Sequence, residues 1–306
     1  MRPVAIVGAA ALSGRGSDPI DDAPLANPKT QKMMSRGAYL AARCLHDLLA
    51  KLDWADRAAV GYYLGVGASG GSLDDVTALL DASIADHEFS VARFGDRGLA
   101  ACNPMLAFQL MNNFTMAHGA ILEGLGGPNG ALFSRGAGTT AALVEAVHAV
   151  ASGDCDRAIA GGADSATHPV TRAELARDGF VARGLVPAEG AALVALAAAD
   201  GPGVIVEHAS IANGEVPPDL DVEVDAVVIA PWGPPAGDVL AAWARDRYRD
   251  AKVVDVSRTL GDALAASHAL AWVAALELLD TMPSAMIVGA GTDGDTGTVV
   301  LRRRSA

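Results

Sequence analysis

An α/β fold built from one unit used twice is what this sequence predicts, and three observations carry it. Hydrophobic residues make up 51% of the 306 positions while aromatics are only 5%, so the interior must be filled by Ala, Val and Leu with Gly at close approaches. Short β-branched runs alternate with longer Ala/Leu stretches of helical period, the pattern of parallel strands joined by crossover helices. Two stretches of the chain follow the same plan of strand, Ser-Arg, helix, strand and Gly-rich end.

In chain order, Val4 to Val7 predicts an opening strand. A helix follows at about Thr30 to Leu52, where Met33, Met34, Tyr39, Leu40, Cys44 and Leu48 form an apolar stripe. Residues 58–66 read as a strand, 73–82 as a helix and 104–124 as an apolar, helix-rich segment. The first copy of the repeat runs from a strand at Ala131–Ser134 through a helix at Thr139–Ser152 to a strand at Arg157–Ala160, ending in Gly161-Gly162-Ala163-Asp164. The second runs from Val253–Ser257 through Ala263–Leu279 to Ala285–Val288, ending in Gly289-Ala290-Gly291-Thr292-Asp293. Each then returns as a strand, Ala191–Ala197 and Thr296–Arg302. Two helix N-termini would thus face a shared centre with free N–H groups.

Bulk properties narrow the function. A formal charge of -13 and a pI near 4.8 repel phosphate backbones and anionic lipid surfaces, which excludes nucleic acid and membrane as expected partners. Three scattered cysteines, Cys44, Cys102 and Cys155, make neither a disulfide framework nor a zinc site. No metal or cofactor is expected, no apolar run is long enough to span a bilayer, and a cytoplasmic location fits.

The order of several segments resembles the β-ketoacyl-acyl-carrier-protein synthases. VAIVGAAALS (Val4–Ser13), QKMMSRGAYLAARCL (Gln31–Leu45), NPMLAFQLMNNFTMAHGAILEGLGGPNG (Asn103–Gly130), GDCDRAIAGGADS (Gly153–Ser165) and RDGFVARGLVPAEGAALVALAAA (Arg177–Ala199) are similar to the family's segments in register. The resemblance implies a thiolase-like fold: two pseudo-repeated βαβαβαββ halves, residues 1–203 and 204–306 of one compact unit, layered as an α-β-α-β-α sandwich. Loop length is expected to be missing between Ser165 and Arg177 and around 200–225.

Active members use a Cys nucleophile, two His residues and a nearby Lys. Counting from Gly127-Pro128-Asn129, the Cys position falls on Gly136. The His positions fall on Pro231 and Asp262, the Lys position on Ser257 or Arg258, and a flexible Phe on Ala290. Glycine carries no nucleophile, proline offers no donor, and a carboxylate at 262 would oppose a malonyl carboxylate. The resemblance therefore implies a member without catalytic residues, like the chain length factors that pair with an active ketosynthase and shape its acyl tunnel in aryl polyene and other type II polyketide systems. Chain length factors commonly carry Gln where this chain has Gly136. An active ketosynthase is the expected partner, with acyl carrier protein reached indirectly. The family's pairing strand corresponds to Gly130–Ser134, and Met105, Phe108, Met111, Phe114 and Phe133 are the candidates for interface and tunnel lining.

Other readings compete for the same residues. Gly67-Ala68-Ser69-Gly70-Gly71 matches G-x-S-x-G, with Asp219 or Asp238 and then His268 available as acid and base for a serine hydrolase or acyltransferase. Its plainer reading is a tight turn that needs small residues. Ser134 beside the vacated Cys position is a second candidate nucleophile, with no acid or base placed near it by the repeat. Gly65-x-Gly67-x-x-Gly70 fits a dinucleotide fingerprint weakly, because the acidic residue expected about 20 positions later lacks a strand end. His118 and His148 read as helix residues, and Asp74-Asp75 as a charged first turn.

Overall fold

The computed structural model describes residues 2–15, 18–25, 27–68 and 70–304. The opening strand β1 covers Val4–Arg15, longer than the sequence suggests, because it pairs antiparallel along its length with a later strand. The expected helix over 30–52 is two helices. Asn27 Oδ1 caps a single turn at Pro28–Gln31, and Ser35 Oγ accepts the Ala38 N–H at 3.3 Å to start α1, Arg36–Leu49. Two side chains suited to N-capping lie eight positions apart, and each starts its own helix.

Strand β2, Gly61–Val66, is followed by α2, Leu73–Ser83. A two-strand hairpin follows, β3 (Ile84–Ala85) and β4 (Glu88–Phe89), whose turn residues Asp86 and His87 both have positive φ, the backbone of a tight hairpin turn. The apolar segment 104–124 holds a short helix, Leu106–Leu110, and α3, Asn113–Glu123, which stops at Gly124 with φ 71°. Then come β5 (Asn129–Leu132), α4 (Gly138–Ser152), β6 (Arg157–Ser165), α5 (Pro169–Arg177) and β7 (Ala188–Ala198). Strand β6 does not end at Ala160; it continues through the glycines to Ser165 because β7 pairs with it throughout.

The second half contains β8 (Gly203–Asn213), β9 (Ala226–Pro231), α6 (Pro234–Arg247), β10 (Lys252–Asp255), α7 (Ala265–Leu278), β11 (Ser284–Ala290) and β12 (Asp295–Arg304). Among the described residues ten strands form one sheet in the order β10-β9-β11-β12-β8-β1-β7-β6-β2-β5. Each half contributes five strands with the same internal order, and they meet where β1 pairs with β8 at Ala5↔Ile205 and Ile6↔Val204. The duplication is incomplete, which corrects the expected βαβαβαββ second half. No helix lies between β8 and β9 among the described residues. That link, residues 214–225, is short, contains Pro217-Pro218 and is strewn with acids, a composition that cannot sustain a helix.

Three apolar cores give the layers. The outer core of the first half places Leu40, Leu45 and Leu48 of α1 on Tyr62, Ile159 and Leu193. The outer core of the second half places Leu240 and Ala244 of α6 on Val227, Ile229 and Met286. Between the two halves lie α4 and α7, with Leu143, Val150, Leu270 and Trp272 packed against both sets of strands. The result is the α-β-α-β-α stack. It sets the N-termini of α4 and α7 side by side, joined where Thr139 Oγ1 donates to the Ala265 carbonyl at 2.6 Å and Thr140 Oγ1 hydrogen-bonds His268 Nδ1 at 3.3 Å.

Candidate functional site: a vacated centre between the two halves

The turn from β5 into α4 carries Gly136 at the mouth of the helix. It is held by the loop that follows β11. Ser134 Oγ donates to Asp295 Oδ2 at 2.8 Å, the Arg135 N–H to Asp293 Oδ2 at 2.8 Å, and the Thr292 N–H to the Arg135 carbonyl at 2.8 Å. The Arg135 guanidinium also pairs with Asp293 at 3.1 Å. Loop 291–295 is thus clamped onto the turn that leads into α4.

A Cβ added at Gly136 would overlap Asp295 Oδ1, and one at Gly291 would overlap the Arg135 carbonyl oxygen. The carboxylate takes the space that a thiol would need. Asp295 Oδ1 is buried with no hydrogen-bond partner among the described residues. Lying near the N-terminus of α4, Asp295 meets the positive end of the helix dipole. The structure therefore does set an acid beside Ser134, which the repeat alone did not suggest.

The other central helix is closed in a reciprocal way. Asp164, at the end of β6 in the first half, accepts from the Ala265 N–H of α7 at 3.3 Å and from the Ser165 N–H at 2.8 Å. The repeat's two acids, Asp164 and Asp293, each reach across to the start of the other half's central helix. Burial raises the Asp164 carboxyl to about 7, with neighbouring Asp262 adding to the rise.

Asp262 is 3% exposed, accepts from the Gly233 N–H at 2.7 Å and the Leu264 N–H at 2.9 Å, and is raised by burial to about 6. Here the acid anchors a strained turn, since Leu264 has φ 54°. Pro231 ends β9 and pairs in register with Ala290. Ser257 Oγ donates to Asp255 Oδ1 at 2.7 Å, and Arg258 pairs with the same carboxylate.

Pro231, Asp262, Ser257 and Arg258 line one pocket of about 160 Å³, and Gly136 is not in its wall. A separate cleft of about 170 Å³ is bordered by Phe133, Asp164, Trp232 and Leu264.

These buried groups make stability depend on pH in a defined direction. Native Asp164 and Asp262 keep protons that the unfolded chain releases above its ordinary carboxyl value of 3.8. Their contribution is complete below that value and is lost as pH rises through about 6 and 7. Buried His268, lowered to about 4, acts oppositely between about 4 and 6.5. Urea unfolding at pH 5 and pH 7 should show the wild type losing about 2 kcal/mol relative to an Asp164→Asn variant as the pH is raised. Parallel pH dependence of the two proteins would contradict this.

The hydrolase reading finds no assembled site. Ser69 lies outside the described residues. His268 is 2% exposed and bonded to Thr140, Asp219 pairs with Arg247 at 3.4 Å, and Asp238 lies on α6. The glycines of the Gly67–Gly71 loop serve packing: a side chain at Gly67 would overlap the Asp164 carboxylate.

Of the candidate interface residues, Phe133 directly follows β5, the end strand of the sheet. Met105, Met111 and Phe133 are exposed, while Phe108 and Phe114 are half-buried in a T-shaped pair at 4.8 Å that continues to buried His118 at 5.4 Å. Desolvation lowers the His118 pKa. Among the described residues strand β5 pairs only with β2, leaving its other edge free. The opposite end strand, β10, is charged at both ends by Lys252 and Asp255, which discourages pairing. Strand β5 and Phe133 carry no charge.

Residues 21–202, more than half of the chain, match the model of the beta-ketoacyl synthase N-terminal domain. The chain belongs to the beta-ketoacyl synthase family. No protein with a curated description matches it in sequence. Among solved structures it is similar to the ishigamide ketosynthase/chain length factor, at 21% identity and a TM-score of 0.74 over 99% of this chain and 100% of that one. It is similar also to the ketosynthase ApeO in complex with its chain length factor ApeC from Xenorhabdus doucetiae, at 12% identity and 0.71 over 99% and 98%. A third is AntDE:AntF, a type II PKS acyl-carrier protein in complex with its ketosynthase bound to the hexaketide, at 14% and 0.74 over 99% and 100%. At such identities the likeness is one of fold.

Proposed function

We propose that this chain is a non-catalytic, chain length factor-like subunit that pairs through β5 with an active ketosynthase and helps shape its acyl tunnel in polyketide or fatty-acid-type biosynthesis in the cytoplasm. The observation that carries this reading is the carboxylate of Asp295 seated over Gly136, where a condensing enzyme needs a free thiol. The uncharged free edge of β5 and the exposed Phe133 beside it support pairing there, with the half-buried Phe108 and Phe114 behind them as tunnel-lining candidates. Resemblance to structures described as ketosynthase and chain length factor assemblies supports the choice of partner.

Co-expression with the nearest-encoded ketosynthase that keeps the Cys–His–His set should give a 1:1 assembly by native mass spectrometry. Recovery of this chain only as a monomer or self-dimer in the presence of that ketosynthase would contradict the proposal.

A further inference from the structure

The strand edge that the proposed pairing uses is small for a lasting complex. Strand β5 offers four residues, and the exposed apolar residues on and around the segment packed beside it are Met105, Leu110, Met111, Ile121 and Phe133. A stable interface needs about 800 Å² and about 20–30 residues from each partner. More surface must therefore take part.

Residues 84–101 supply it. The β3–β4 hairpin and the helical turns that follow, Val91–Arg93, Phe94–Gly98 and Leu99–Ala101, stand apart from the ten-stranded sheet. Phe89, Val91 and Leu99 are 54%, 76% and 55% exposed, and Ile84 adds to the same apolar arm. Such a concentration of bare apolar side chains on one short segment marks an interaction site.

The arm is nonetheless a built object. The Ser90 N–H donates to the Ser83 carbonyl at 2.9 Å, Arg93 Nη1 to the Ile84 carbonyl at 2.8 Å, and Gly98 packs against buried Ser83. Its base is tied to the segment that carries Met105 and Leu110. The Asn103 N–H donates to Asp75 Oδ1 at 3.1 Å, and the Ser72 N–H to Gln109 Oε1 at 3.0 Å. The arm is thus a preformed projection, which lowers the ordering cost of binding.

We infer that the arm, residues 84–101, is a second docking surface that clasps the same ketosynthase subunit engaged by β5. This rests on the function proposed above. Charge argues against an acyl carrier protein as occupant, because Asp86, Glu88 and Asp96 outnumber Arg93 and Arg97 on the arm, and an acidic partner would be repelled.

Titration calorimetry of the nearest-encoded active ketosynthase with three forms of the full chain tests the inference. A Phe89→Ser/Val91→Asp/Leu99→Asp variant should bind about 30-fold more weakly than wild type, and Phe133→Asp should abolish binding. Hydrogen exchange on the wild type gives a readout free of substitutions: amides of 84–101 should slow on adding the ketosynthase. If Phe133→Asp abolishes binding while the triple variant keeps the wild-type Kd and the arm's exchange is unchanged, the clasp is overturned and the pairing through β5 stands. If the wild type fails to bind, the proposed function falls and the clasp with it.

Discussion

A Gly136→Cys variant should not condense acyl groups, and it should be less stable than the wild type by about 1–3 kcal/mol. The new Cβ overlaps Asp295 Oδ1, and loop 291–295 cannot retreat freely because Asp293, Thr292 and Asp295 are all bonded to residues 134–135. A thiol forced in beside that carboxylate would meet a like charge on ionising, which raises its pKa and lowers its reactivity. Iodoacetamide should therefore label the variant slowly.

Adding Asp295→Ala separates the two causes of inactivity. The double variant should regain stability and label readily, showing that the space is restored. It should still not condense, because Pro231 and Asp262 supply no imidazole to support decarboxylation. Fast labelling of Gly136→Cys alone, or turnover by either variant, would contradict the account.

The expected losses at 136, 231 and 262 rest on residue types at positions located by nearby motifs, which a sequence displays directly. The clamp was not legible there. Ser134 and Asp295 are 161 residues apart, and nothing local marks Asp295 as different from any acid in a Gly-rich loop. The repeat did place Asp164 and Asp293 at corresponding positions, yet their reciprocal reach to the opposite helix arises only when the two halves are stacked.

The duplicated core was readable from its strong periods, whereas β8, β9 and α6 were missed for separate reasons. Strand β8 lies at the junction of the halves, where Glu207, His208 and Ser210 dilute its apolar pattern. The start of α6, Pro234-Pro235-Ala236-Gly237-Asp238, reads as a loop although proline suits a first helical turn. The six-residue run of β9 is buried throughout, and so gives no alternation to distinguish it.

On the proposed function, this chain should contribute to condensation only through a partner's active site, and the difference should span the whole catalytic effect rather than a fraction of it. The decisive measurement is mass spectrometry of purified, ketosynthase-free protein incubated with acyl- and malonyl-loaded carrier protein, beside the same mixture containing the active ketosynthase. The account predicts no elongated product and no acyl adduct on this chain alone, with both product and adduct appearing on addition of the ketosynthase and the adduct confined to that enzyme's cysteine. Elongation by the isolated chain, or an acyl group found on one of its own residues, would contradict it.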